Sequence, residues 1–304
     1  MCYQLVRIPI GVGPERAYRE PKRFNVHGIK YDKWQVVYDG SCGWEFVSPI
    51  LKGKKGFEEV VRALGAVNKD PTLKTFRFKV DASTGCHVHF GYNYRQAKKF
   101  QNLVQFVRRF EGALFTLCPA SRFQDKDNFD AGFHMPNEYC TPLLGSVSND
   151  DVEELGDAES IRAMFCNHDM RYHTVNLSLF DSNPQRLEVR MHSGTTEPEK
   201  ILLWVSLWQN IFNCLNNFPL DVTGFSSDAE ASEISGKPDG DIVHVAAKYL
   251  ALSNVNHRAL LTRLHERRKE VMSNAAWKKV LGTRKQRSVL AAWQARFDEL
   301  MRQA

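Results

Sequence analysis

Two short stretches alternate ionisable and apolar residues so regularly that they constrain the fold around them. The first is Ser83-Thr84-Gly85-Cys86-His87-Val88-His89-Phe90-Gly91. It reads as a strand entered through a glycine turn, with His87 and His89 on one face and Val88 and Phe90 on the other. The second is Arg186-Leu187-Glu188-Val189-Arg190-Met191-His192. Its alternation puts Arg186, Glu188, Arg190 and His192 on one face and Leu187, Val189 and Met191 opposite. Four ionisable groups on a buried, empty face are costly, so the face lines water or holds a charged ligand. A solvated outer face is the plain alternative. Imidazole with carboxylate suits a divalent metal, and arginine suits phosphate or carboxylate.

A chain of 304 residues can bury a sizeable core around such strands. Hydrophobic and charged fractions of 43% and 25% are those of an ordinary globular protein. No apolar run approaches the roughly 20 residues of a membrane span. Seven cysteines are scattered without a C-x-x-C pair, and the N-terminal residues carry no signal-peptide pattern, so reduced thiols and a cytoplasmic location are expected. The net charge of +6 is uneven. From His257 onward there are 12 Lys/Arg against 4 Asp/Glu, which leaves the remainder slightly acidic.

Residues 1–33 yield no assignable element beyond a turn at Gly11-Val12-Gly13-Pro14 and a helical turn or two from Glu15 to Glu20. Trp34–Tyr38 and Trp44–Val47 have strand composition about the turn Asp39-Gly40-Ser41. Helices are predicted over Phe57–Asn68 and Tyr94–Leu117, the second from apolar residues at helical spacing. A strand is predicted over Thr75–Val80. Cys118–Ser148 is a long irregular segment. A short helix over Asp157–Cys166 follows, with Asp157 at or near its N-cap. Arg171–Leu179 reads as a strand hairpinned to the Glu188 strand. A mostly apolar helix runs from Thr196, its expected N-cap, to about Leu215. Residues 219–240 read as a linker, and 241–304 as a basic helical extension.

In this order, several motifs resemble the putative amidoligase family, a glutamine-synthetase-like branch of the carboxylate–amine ligases. They are Asp39-Gly40-Ser41 with Glu45-Phe46-Val47-Ser48-Pro49, Thr84-Gly85-Cys86-His87-Val88-His89, and Pro119-Ala120-Ser121-Arg122 with Tyr139-Cys140. Arg171-Tyr172, Asn176, and Glu188-Val189-Arg190 with Gly194-Thr195 complete the set. The resemblance spans about residues 34–215. It implies an α+β catalytic domain over 34–218, with a curved, mainly antiparallel sheet and helices on one face. The implied activity is ATP-dependent amide synthesis through an acyl phosphate, with Mg²⁺, on small-molecule or peptide carboxylates and amines.

The resemblance also assigns roles. Glu45, His89 and Glu188 are the implied metal ligands, and Asp39 could supply a further carboxylate from the facing arm of its turn. His87 is a second ligand or a phosphate contact. Arg190 contacts phosphate; Arg122 and Arg171 hold the substrate carboxylate; Ser41, Tyr172 and Asn176 orient ATP or substrate. One departure stands out. The family's opening strand carries two alternate acids, whereas Ile8-Pro9-Ile10-Gly11-Val12-Gly13 carries none. Readings of other classes stay open: a degenerate ligase that binds nucleotide without turnover, and a protein that binds nucleic acid or an acidic partner through its basic C-terminal helices. A zinc site built from Cys86, His87 and His89 is disfavoured because Cys86 alternates to the opposite face.

Overall fold

The computed structural model describes residues 4–10, 34–39, 43–69, 84–91, 96–122, 140–143, 147, 149–166, 169–182, 185–217 and 255–303. Ser41, Tyr139, the strand expected at 75–80 and the linker at 219–240 lie outside them.

The fold is α+β. Among the described residues, six strands form one antiparallel sheet: β1 (Gln4–Ile10), β2 (Gln35–Asp39), β3 (Gly43–Val47), β4 (Gly85–Phe90), β5 (Val175–Asn176) and β6 (Leu187–Ser193). Their spatial order is β2-β3-β1-β4-β6-β5. The segment 1–33, in which the sequence shows no strand, therefore supplies an interior strand. Pro9 sits past the stretch of β1 paired with β4, which ends at Arg7, so it has a ladder neighbour only in β3. A missing N–H is tolerated there.

Helices α1 (Gly53–Lys69), α2 (Ala97–Phe115) and α5 (Pro198–Asn217) belong to the core on the apolar side of the sheet; α3 (Asn149–Glu153) and α4 (Ala158–Phe165) lie between α2 and β5 in the chain. Phe90 of β4 meets Phe212 of α5 edge-on at 5.0 Å, and Phe106 of α2 meets Trp208 at 6.4 Å. Burying such a ring stabilises by about 1.5–3 kcal/mol. Asp157 caps α4 as expected, accepting from the N–H groups of Glu159 and Ser160. At the start of α5 the hydroxyl that meets the chain is that of Thr195, not Thr196: it accepts from the Glu197 N–H at 3.1 Å.

Two further expectations are corrected. The strand predicted over Arg171–Leu179 shrinks to Val175–Asn176, flanked by 3₁₀ turns at Asp169–Tyr172 and Ser178–Asp181. The Asn176 side-chain oxygen accepts from both the N–H and the hydroxyl of Ser178, at 3.0 and 2.6 Å. That local bond folds the chain away from the ladder. His192 also leaves the face of Glu188. Pairing runs Val88 with Val189 and Cys86 with His192, so His87 alone faces two residues, Arg190 and Met191. This β-bulge inserts one residue and inverts the alternation beyond it. His192 therefore points to the helices and packs on Trp204, ring centroids 5.4 Å apart.

The C-terminal segment forms α6 (Val255–Met272), α7 (Ala275–Leu281) and α8 (Thr283–Gln303). Leu261 and Leu264 join the main core. A second cluster gathers Val271, Met272, Trp277, Val280, Val289 and Trp293 around Ala120. The exposed faces carry Arg263, Lys269, Lys278, Lys279, Arg284 and Arg287.

Burial pushes the His192 imidazole down to about 4, with Arg267, Arg122 and Lys200 adding to the effect; its Nδ1 donates to the Ser193 carbonyl at 2.6 Å. Between the folded value and the ordinary 6.5 the unfolded chain binds the extra proton, so stability rises with pH across that window. The gain from this group is about 3 kcal/mol. Urea midpoints measured from pH 4 to 7 should climb and then level off near 7, and His192→Gln should flatten the climb.

Candidate active site

The polar face of the sheet is built by register. His89 lies opposite Glu188 across the β4–β6 pair, and Asn176 lies opposite Glu188 across β5–β6. The Glu188 carboxylate is the hub. Its Oε1 accepts from His87 Nδ1 at 3.1 Å and from Arg190 Nη1 at 3.0 Å, and it faces His89 Nε2 at 3.6 Å. Its Oε2 accepts from the Asn176 side-chain amide at 2.8 Å. Glu188 and His89 are buried; Arg190 is partly open.

Burial alone would push the Glu188 carboxyl up. The His87 hydrogen bond and the neighbouring positive charge of Arg190 outweigh it and hold the group well below the ordinary range. Burial, then Arg190, pushes His87 down against the pull of Glu188. A neutral His87 beside an ionised carboxylate carries its hydrogen on Nδ1. Its Nε2 then turns towards Gly85. A Cβ on Gly85 would stand 2.9 Å from that Nε2 and 3.1 Å from Arg122 Nη2. The glycine at 85 leaves room for the ring and the guanidinium to converge over it.

Glu45 is buried on the same face but at a distance. It pairs with Pro9 of β1, while Arg7 of β1 pairs with His87 and Leu5 with His89. Two strand spacings and one pleat repeat separate Glu45 from His87, about 12 Å between Cα atoms. Asp39 is farther still, opposite Gly43 on β2. Among the described residues, no group of three or more His, Cys, Asp or Glu is arranged to hold a metal ion. Glu188 with His89 is the pair that could hold one divalent ion, with phosphate oxygens and water completing the shell. Mg²⁺ is commonly bound in that way, through one or two carboxylates and substrate phosphates.

The arginines divide. Arg190 is at the hub. Arg171 is exposed on the 3₁₀ turn, its guanidinium over the Tyr172 ring at 4.4 Å and donating to the Tyr172 hydroxyl. Arg122 is buried: Nε donates to the Met191 carbonyl at 3.3 Å and Nη2 to the Arg190 carbonyl at 2.8 Å. Cys86 shares the helix side with His192, and burial pushes its thiol up to about 12, so it is a protonated core residue and no thiolate ligand. The sequence reading missed β1 as the strand between Glu45 and the histidines. It also missed the bulge and the contacts of Arg122; only the Gly85-x-His87 spacing signals the close approach there.

Gly85→Ala tests this geometry. The fold should survive, because the atoms met are side-chain ends, but the His87 ring must move off Glu188. A histidine side-chain NMR spectrum should show the His87 signals displaced and those of His173 and His265 unchanged.

A family model described as "Putative amidoligase enzyme" matches residues 11–212. No curated protein matches the chain.

Proposed function

The chain belongs to the family of putative amidoligase enzymes, and on that premise we propose that it is an ATP-dependent carboxylate–amine ligase with a glutamine-synthetase-like site on the polar face of its sheet. The observation that carries this reading is the Glu188 hub: one ionised carboxylate bound by His87, Arg190 and Asn176 on the polar face of the sheet, with Arg190 partly open. Such a hub holds phosphate-binding cations in place before substrate arrives.

In the proposed reaction a carboxylate oxygen of the substrate attacks the γ-phosphorus of ATP. The bond to the ADP oxygen breaks and an acyl phosphate forms. The amine nitrogen then attacks the acyl carbon, phosphate leaves with the bonding pair, and the ammonium proton passes to solvent. Both partners in the first step are anions, so the site must neutralise them. Arg190 contacts the transferring phosphoryl group, and Glu188 fixes its direction. His87 donates from Nδ1 to the Glu188 carboxylate and keeps it in place, while its second ring nitrogen lies over Gly85. Arg171 and Tyr172, at the sheet margin, hold the substrate carboxylate. Bound at Glu188 and His89, Mg²⁺ would supply charge neutralisation to the phosphates.

A second reading has its own observation. β1 places Leu5, Arg7 and Pro9 opposite His89, His87 and Glu45, with no carboxylate at any of these three positions. A site short of carboxylates binds nucleotide more readily than it completes amide synthesis.

The two readings separate by experiment. Calorimetry with a non-hydrolysable ATP analogue should show Mg²⁺-dependent binding at or below millimolar, about −4 kcal/mol or better. ADP release with a panel of carboxylates and amines should follow for a ligase and be absent for a nucleotide-binding protein. Absence of binding would remove both. Glu188→Gln keeps the shape but loses the charge, and turnover should fall at least about 100-fold with the circular dichroism spectrum unchanged.

A further inference from the structure

The β6 bulge has a structural cost, because two residues oppose His87 and the ladder cannot satisfy all their backbone groups. The Arg190 N–H turns to the Thr174 carbonyl at 2.9 Å. The Arg190 and Met191 carbonyls are taken by Arg122, which comes from the 3₁₀ turn Ala120–Arg122. Arg122 is 2% exposed, so its guanidinium has little scope to serve a ligand while it holds those carbonyls. The same turn is gripped from its other side. Trp277 of α7 is fully buried and donates from Nε1 to the Cys118 carbonyl at 2.9 Å, and its cluster packs on Ala120. A continuous chain of contacts therefore runs from α7 through residues 118–122 to the two carbonyls that directly follow the Arg190 side chain's point of attachment.

We propose that Trp277 and Arg122 are positioning residues of the candidate site, through which the C-terminal helices fix the β6 bulge and with it the aim of Arg190 at Glu188. Residues 255–303 are then a part of the site's machinery, although the family match ends at residue 212. The effect on turnover rests on the ligase reading; the effect on the bulge does not. A displacement of about 1 Å at a reacting centre can cost up to about 100-fold in rate.

The test uses the full chain with Trp277→Phe, which keeps the ring and loses the N–H donor, and Arg122→Lys, which keeps the charge and loses the fork. Lys278→Ala, exposed on the same helix, is the control. Amide exchange by NMR should speed up at least tenfold at Arg190 and Gly194 in both variants, with α5 unchanged. The kcat for Mg-ATP turnover should fall ten- to a hundredfold while KM for ATP changes less than twofold. If Trp277→Phe does not fold, Arg122→Lys carries the test. Exchange unchanged in the folded variants overturns the proposal, and so does faster exchange with kcat unchanged. If the wild-type protein has no turnover, the ligase reading fails and the exchange result alone decides: faster exchange supports the proposal, unchanged exchange overturns it.

Discussion

One inserted residue in β6 decides how the polar face is composed. With strict alternation Glu188, Arg190 and His192 would line up along one side of the strand. The bulge opposite His87 releases His192 to the helices, where it packs on Trp204. It also sets Arg190 where its guanidinium returns to the carboxylate two residues earlier, at 3.0 Å. A bulge is a local break in the ladder and survives only if its backbone groups find partners. Arg122 provides them, so a buried cation far away in sequence supports the local geometry of the site.

The charge balance follows from the same arrangement. Glu188 is ionised, Arg190 stands against it, His87 is kept neutral by burial and Arg190, and Arg122 lies behind the glycine at 85. Close to β4 and β6 the balance is therefore positive. Glu45 is two strands away and compensates weakly over that separation. A surface of this kind favours anions near the histidines and leaves carboxylate-rich chemistry to the β3 side.

Much of this was legible in the sequence. The H-x-H and R-x-E-x-R stretches read correctly as strands, each with a polar face, because period-2 alternation is a direct consequence of the pleat; that they are neighbours emerges only from the structure. The apolar spacing of α2 and the cap at Asp157 were equally plain. The rest depended on partners that local pattern does not encode. β1 has ordinary strand residues but includes Pro9 and is followed by glycines, so nothing local marks it as interior. The bulge is a relation between two strands, and His192 was misplaced for that reason. Arg171–Leu179 has strand composition, yet the Asn176 oxygen captures Ser178 and ends the strand after two residues. Arg122 resembles a surface arginine until its carbonyl partners, nearly 70 residues later, are in view.

The place of β1 sets an order on how the molecule can assemble. Its neighbours, β3 and β4, follow it by tens of residues, and β4 is pinned on its far side by β6 near residue 190. During synthesis β1 has no partner until β3 is made, and the middle of the sheet stays open until β4 has left the ribosome. Pairings of such sequence separation form slowly and leave strand edges exposed in the meantime. The contact from Trp277 comes last of all. A nascent chain holding Glu45, His87, His89, Glu188 and Arg190 would thus possess these ionisable groups of the face well before it possessed the geometry.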